Sequence, residues 1–426
     1  MQSWGNLPYD PPCRQRRLFD RAAPLPTGEA PLLAYGNGRS YGDVCINSGG
    51  ELLQTRGLDR YLAFDDATGI LRAEAGVLLD DIIRVFLPRG WFLPVTPGTR
   101  FVTLGGALAN DVHGKNHHVA GTFGCHVPRF ELLRSDGGRI ECSPTENAEL
   151  FAATIGGLGL TGLVTWIELR LRRVPGPAIA VENRRFHGLA EFFALNIEAE
   201  KTHEHVVAWI DCLAREPRGI LMAGNHAAAS AAAVPPAPTF SPAVPFTPPL
   251  SLVNRASLAA FNAAYFHKPL PARATVHCLP YFYPLDNLLY WNRIYGRRGF
   301  YQYQCAVPQA VQQDATAALL AAIRESGQGS FLAVLKTLGD MASPGMLSYP
   351  LPGANLALDF PNGGAHTLEL FKRLDAIVRD AGGRLYPAKD ARMPGDLFRQ
   401  GYPQWRKFSQ YVDPKFSSNF WRRVAG

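Results

Sequence analysis

Three glycine-rich segments within the first third of the chain most constrain its fold. The longest runs from Pro97 to Phe123, PGTRFVTLGGALANDVHGKNHHVAGTF. It sets Gly98, Gly105, Gly106, Gly114 and Gly121 among small residues, then brings His113, Lys115, His117 and His118 almost together. The other two are Gly36-Asn37-Gly38-Arg39-Ser40-Tyr41-Gly42-Asp43 and Gly156-Gly157-Leu158-Gly159-Leu160-Thr161-Gly162. Glycine lets a backbone approach a ligand closely, and successive amides in such turns form concave anion sites. One such loop is usually a turn. Three, each with polar tips, point to one long phosphorylated ligand touched at several places. Gly36–Gly42 misplaces the third glycine of a dinucleotide fingerprint and no helix-forming run follows it. No Gly-Lys-Ser/Thr P-loop is present.

A chain of 426 residues with 47% hydrophobic residues has room for two or three domains and a large core. The net charge of +7 is mild. It suits an anionic ligand or an anionic membrane surface, and without Lys/Arg runs it argues against nucleic-acid binding. Seven scattered cysteines with no C-x-x-C pair argue against a disulfide framework and a zinc site, so no metal is expected. The N-terminus lacks the charged and apolar regions of a secretory signal. No apolar run is long enough for a transmembrane helix, so a cytoplasmic protein with peripheral membrane contact is the expected setting.

Periodicity predicts strands at Pro31–Tyr35, Glu51–Gln54, Ile70–Ala75, Phe130–Arg134 and Val164–Arg173, and helices at Gly76–Arg89 and Glu146–Ile155. Further on it predicts helices at Phe186–Glu198 and Pro308–Glu325. Strands follow at Val206–Asp211, Phe300–Val307, Ser330–Lys336 and Asn355–Phe360. This is an α+β pattern, not a regular βαβ alternation. Ala227–Pro249 is Ala/Pro-rich and reads as a surface insertion or a lid over a site. On the strand around Tyr303, period 2 places Gln302 and Gln304 on one face. Lys336 lies inside the apolar run Phe331–Leu338, where a lysine is rarely accidental.

GNGRSYGD, PGTRFVTLGGALANDVHGKNHHVAGTFG and ATIGGLGLTGLV resemble, in order and spacing, the FAD-binding domain of the vanillyl-alcohol-oxidase (PCMH-type) superfamily. YFYPLDNLLYWNRIYGRRGFYQYQCAVP, SFLAVLKTLG, LALDFP and GGRLYPAKDARM extend the resemblance to its decaprenylphosphoryl-β-D-ribose 2′-oxidase family. The likeness covers nearly the whole chain apart from the Ala/Pro insert and the short N-terminus. It implies a two-lobed FAD-binding domain over 1–178, completed by 384–426. A substrate domain, an antiparallel sheet covered by helices, is implied over 179–383, with a mobile loop at 227–249. It also implies oxidation of a lipid-linked ribose at the 2′-hydroxyl, first step of an epimerisation that an NAD(P)H-dependent short-chain reductase completes.

The resemblance carries roles to particular residues. FAD would lie against Gly36, Asn37, Gly38, Arg39, Ser40 and Tyr41, and against Gly98, Thr99, Thr103, Gly105, Gly106 and Asn110. His113 and Gly114, then Gly157, Gly159 and Gly162, and finally Tyr386 and Lys389 complete the implied set. Arg39 stands where covalent members carry a flavin-linking histidine, so the FAD is expected to be non-covalent. Lys389, His113 and Tyr41 are the implied catalytic residues. Lys115, Gln302, Gln304, Lys336 and Phe282 are the implied substrate contacts. Phe282 replaces a family tyrosine, and Ala357 replaces the cysteine of mycobacterial members. His117 and His118 are expected to shape a turn. Two other readings stay open: an oxidase of a free sugar, alditol or aldonolactone, and a flavin-binding scaffold subunit with little turnover of its own.

Overall fold

The computed structural model describes residues 2–228 and 241–426. The part of the Ala/Pro-rich stretch from 229 to 240 lies outside the described residues.

The N-terminal part carries three small sheets. Leu32–Tyr35 and Arg14–Arg17 flank Glu51–Gln54 in a parallel three-stranded sheet. Five antiparallel strands follow in the spatial order Tyr61–Asp65, Ile70–Glu74, Leu163–Arg170, Phe130–Leu133, Arg139–Cys142. Trp91–Phe92 pairs with Arg172–Arg173. The helix Leu79–Phe86 buries Leu79, Ile82, Ile83 and Phe86, the i, i+3, i+4, i+7 positions of an amphipathic helix. They join Leu71, Leu104, Leu108 and Ile167 in one core.

Eight antiparallel strands form the largest sheet, in the order Arg273–His277, Ala178–His187, Arg218–His226, His205–Ile210, Val334–Leu338, Gly353–Pro361, Phe300–Pro308, Arg384–Leu385. The helices Leu189–Glu200, Gln312–Ser326 and Ala365–Asp380 cover one face. Tyr303, Cys305, Val307, Leu335, Leu356, Leu358 and Phe360 point from three neighbouring strands into that helical core. Because side chains alternate along a strand, the intervening residues Gln302, Gln304, Lys336, Asn355, Ala357 and Asp359 fall on the opposite face. The helical packing thereby fixes which polar residues the sheet presents to the rest of the chain.

Several boundaries differ from the sequence reading. Phe186 belongs to the strand Ala178–His187, and the helix begins at Leu189. The strand expected from Ser330 begins at Val334, because the Ser330 hydroxyl is engaged locally with Leu332 and with the amide of Asp359. The strands Ala178–His187, Arg218–His226 and Arg273–His277 show little apolar alternation, the first with mixed charge, and the sequence did not announce them.

Candidate active site

The first glycine-rich loop, the helix Leu104–Ala109 and the C-terminal segment around Lys389 converge on the polar face of the large sheet. Thr103 caps the helix by accepting from the Gly106 amide. A Cβ on Gly36 would lie 2.3 Å from the Thr103 hydroxyl, so only glycine lets this loop approach the helix start. Asn37 Nδ2 donates to the Phe101 carbonyl at 2.8 Å, joining the first and second glycine-rich segments. The Tyr41 amide donates to the Ala388 carbonyl at 3.0 Å, joining the first loop to Pro387-Ala388-Lys389-Asp390. Asp390 is fixed in turn by Arg423, which also holds Asp43.

On the sheet face, Gln304 Nε2 donates to Asn355 Oδ1 at 2.9 Å and to His113 Nε2 at 3.1 Å. The other ring nitrogen, Nδ1, lies 2.8 Å from Lys336 Nζ. Burial pushes the Lys336 pKa down to about 7, with the Lys115 charge adding to the effect. Lys336 also donates to the Gly114 carbonyl at 2.5 Å. Burial, then Lys336, keeps His113 well below the usual imidazole range. The His113 ring stacks on Tyr349 at 5.5 Å, and Tyr349 stacks on Tyr386 at 4.5 Å. Lys115 donates to the Tyr281 carbonyl, and its ammonium lies 4.3 Å from the Tyr281 ring and 5.8 Å from that of Phe282. Burial pushes Lys115 down to about 7.

Opposite this row, Lys389 Nζ sits 3.8 Å from the centre of the Tyr41 ring, a cation–π geometry. Tyr41 packs edge-on to Phe300 at 5.5 Å. Gln302 Nε2 donates to Asp359 Oδ1 at 2.6 Å. Burial raises the Asp359 pKa and lowers that of Lys389, and each opposes the other's shift through its charge.

The expected site residues thus fall into groups. Tyr41, His113, Gln302, Gln304, Lys336, Tyr386 and Lys389 come together where the sheet face meets the loops. Lys115 and Phe282 lie side by side against Tyr281. Gly157, Gly159 and Gly162 support from beneath: the Gly156 and Leu158 amides donate to Leu108 and Ala109 at the end of the Leu104–Ala109 helix. Gly162 has φ +136°, backbone that favours glycine. The Thr99 hydroxyl donates to the buried Asp286 carboxylate at 2.7 Å. His117 and His118 are bound to the Gly339 amide and the His203 carbonyl. The sequence reading missed Asn355, Asp359 and Tyr349. Alternation along Asn355-Leu356-Ala357-Leu358-Asp359, phased by the buried leucines, was the signal that would have found the first two.

A sequence model of the FAD binding domain family matches residues 26–143. Over 96% of this chain and 92% of its own length, decaprenylphosphoryl-β-D-ribose oxidase of Mycolicibacterium smegmatis is 35% identical. The chain belongs to the decaprenylphosphoryl-β-D-ribose oxidase family. An uncharacterised Streptomyces coelicolor protein encoded 5′ of mprA is 34% identical over 82% of the chain and all of its own length. Human Δ24-sterol reductase is 30% identical over 26% of the chain, a likeness confined to a shorter segment.

As a member of the decaprenylphosphoryl-β-D-ribose oxidase family the protein is an FAD-dependent oxidoreductase, and the residues present fit that cofactor. Among the described residues, the amides from Gly36 to Ser40 donate to no protein acceptor. Arg39 Nε, Asn110 Oδ1, Gln302 Oε1 and Asp359 Oδ2 are buried without a partner. Buried polar atoms are rarely left unpaired. These four border the same meeting point of loop, helix and sheet. Arg39 lies over the Trp4 ring at 4.2 Å, and Gly36–Asp43 contains no histidine. Among the described residues, no helix is long and apolar enough to cross a membrane.

Proposed function

We propose that the protein oxidises the 2′-hydroxyl of a polyprenyl-phosphate-linked ribose to a ketone, using non-covalently held FAD. The observation that carries this reading is the polar row Gln302, Gln304, Lys336, Asn355 and Asp359 on one sheet face, bonded to His113 and set beside Lys389 and Tyr41. A sugar needs several fixed donors and acceptors to hold one hydroxyl in line for reaction. Bound FAD supplies the hydride acceptor.

The chain's own residues do the rest. The amides of Gly36–Ser40, with Arg39, Thr103 and Asn110, hold the cofactor; Gly98, Gly105, Gly106 and Gly114 keep the approach clear of side chains. Gly157, Gly159, Gly162 and Tyr386 brace that cradle, Tyr386 by donating to the Asn110 carbonyl at 2.8 Å. Gln302, Gln304 and Lys336 hold the sugar. Lys115 beside Phe282 meets the phosphate, as a point charge suited to a phosphodiester. His113, locked on both ring nitrogens, shapes the pocket. Lys389 stabilises the negative charge that develops during hydride loss and handles the hydroxyl proton, while Tyr41 positions it.

The keto product requires a separate NAD(P)H-dependent reductase to complete an epimerisation. A lipid-linked substrate also needs access to a bilayer. Phe246, Leu250 and Leu252, exposed next to the helix Arg255–His267, offer an apolar edge for peripheral contact at the inner membrane. Liposome co-sedimentation checks this, and binding unchanged on deleting 227–266 would exclude it. For the activity itself, anaerobic addition of prenylphosphoryl-ribose should bleach the flavin. Bleaching by an alditol or free sugar instead would replace this reading with the free-sugar oxidase. Bleaching by nothing would favour a scaffold subunit.

A further inference from the structure

We propose that Trp4 is a positioning residue of the FAD cradle: carried on the segment Gln2–Gly5, it holds the Arg39 guanidinium in place for the cofactor. The resemblance that assigned the cofactor residues stops short of this stretch, and the FAD binding domain model matches only from residue 26 onward.

Gln2–Gly5 runs as a strap between the first glycine-rich loop and the large sheet. On the loop side the Trp4 amide donates to the Ser40 carbonyl at 2.8 Å, the Gly5 amide to the Tyr41 carbonyl at 3.1 Å, and the Tyr35 hydroxyl to the Gln2 carbonyl at 2.8 Å. On the sheet side the Phe300 amide donates to the Gly5 carbonyl at 2.8 Å, and Asn292 Nδ2 to the Trp4 carbonyl at 3.0 Å. The fit leaves no slack. A Cβ on Gly5 would lie 2.4 Å from the Tyr41 carbonyl oxygen and 2.7 Å from that of Phe300. One on Gly299 would lie 2.3 Å from the Gly5 carbonyl oxygen. The strap thus takes up the carbonyls of Ser40 and Tyr41, while the amides from Gly36 to Ser40 keep no protein acceptor among the described residues.

The strap also sets the Trp4 ring, which packs edge-on to Trp291 with centroids 5.7 Å apart. The Arg39 guanidinium carbon lies 4.2 Å from the centre of the Trp4 ring and 5.4 Å from that of Phe101. Among the described residues no hydrogen bond or ion pair engages this guanidinium, and its Nε is buried without a partner. Asp286 is the carboxylate whose charge it feels, but both Asp286 oxygens are taken. Oδ1 accepts from the Thr99 hydroxyl at 2.7 Å and Oδ2 from the Arg100 amide at 2.9 Å. A cation drawn out of water without a counter-ion is costly, and an anionic ligand relieves that cost. FAD brings the charge of its pyrophosphate. Arginine stacks on an aromatic face through its plane and keeps the N–H donors at its edge free. Trp4 therefore orients the guanidinium without consuming what a ligand needs. A carboxylate partner would have taken both the charge and the donors.

The test is fluorescence titration of the deflavinated full-length protein with FAD. The variants are Trp4→Ala, Trp4→Phe, Arg39→Gln and the Trp4→Ala/Arg39→Gln pair, each also melted without FAD. Trp4→Ala should raise the FAD dissociation constant about 10-fold, the loss of one partly desolvated cation–π contact. Trp4→Phe should recover part of that loss, because it keeps an aromatic face. Arg39→Gln removes the group through which Trp4 acts. In that background Trp4→Ala should shift the dissociation constant by less than about twofold. A Trp4 that only packs would cost the same affinity in both backgrounds, in step with a lowered melting temperature. Such additivity overturns the proposal, as does a Trp4→Ala affinity within about twofold of wild type. If Trp4→Ala fails to fold, Trp4→Phe is compared with Trp4→Leu, which fills space without an aromatic face. Tighter FAD binding by the phenylalanine variant supports the proposal, and equal affinity overturns it. The readout is cofactor binding, so it stands apart from which sugar the enzyme oxidises.

Discussion

Gly42→Ala tests whether the FAD cradle depends on contact between two distant backbone segments. A Cβ at Gly42 would lie 1.7 Å from the Asp390 carbonyl oxygen and 2.8 Å from the Ala391 Cα. Ordinary contact needs about 3.5 Å, so the loop and the Pro387–Asp390 segment must separate by roughly 2 Å. Neither obstacle is a side chain that can rotate away. Overpacking of this kind costs about 1–3 kcal/mol and sometimes more. The hydrogen bond from the Tyr41 amide to Ala388 is lost with it, worth about 1 kcal/mol. The sum is about 3 kcal/mol, which as lost cofactor affinity is roughly a 100-fold rise in the FAD dissociation constant. The assay is fluorescence titration of deflavinated protein with FAD, beside thermal unfolding of the loaded form. Gly28→Ala is the control, because a Cβ there meets nothing within 4 Å. The variant should bind FAD far more weakly, melt lower and lose Lys389 from the Tyr41 ring. An FAD affinity within twofold of wild type at an unchanged melting temperature would refute the reasoning.

Three further outcomes follow from the same geometry. Lys336, with its pKa lowered to about 7 in the fold against about 10.5 unfolded, binds fewer protons folded than unfolded between those values. Wild type should therefore gain stability relative to Lys336→Met as pH rises from 7 to 10, by at most about 1.4 kcal/mol per pH unit; thermal melts showing a constant difference would contradict this. Arg392→Met leaves the buried Asp375 carboxylate, shared with Tyr303, without its cation and should cost about 3–5 kcal/mol in denaturant unfolding. An unchanged midpoint would show that the pair contributes nothing. Lys389→Met should retain FAD in the purified protein yet reduce it at least about 100-fold more slowly with substrate, whereas simple loss of FAD would assign Lys389 to cofactor retention.

The sequence revealed the site unevenly, for physical reasons. Gln302 and Gln304 were legible because their strand alternates, and Lys336 because a lysine inside an apolar run stands out. The glycine-rich loops announced close approach to a ligand, and Gly36 against Thr103 is one place where that closeness is realised. Asp359 stayed hidden. Its strand is buried on both faces, so alternation between Asn355, Ala357 and Asp359 on one side and the leucines on the other was the only mark of its second face. Lys389, the cation whose charge acts on it, arrives from a segment that follows the edge strand Arg384–Leu385 of the large sheet. The strands Ala178–His187 and Arg273–His277 were missed because Glu182, Arg184 and Arg273 pair with one another across an exposed edge. Such pairing satisfies a sheet without the apolar alternation that betrays it in sequence.

The central claim is that a polar sheet face opposite Lys389 and Tyr41 oxidises a lipid-phosphate-linked ribose. Anaerobic titration of the FAD-loaded protein with prenylphosphoryl-β-D-ribose, read as loss of the flavin's visible absorbance, tests it most directly. The account predicts stoichiometric bleaching by that compound and none by free ribose or an alditol. Bleaching by the free sugar or alditol, with the prenylphosphoryl-ribose inert, would contradict it.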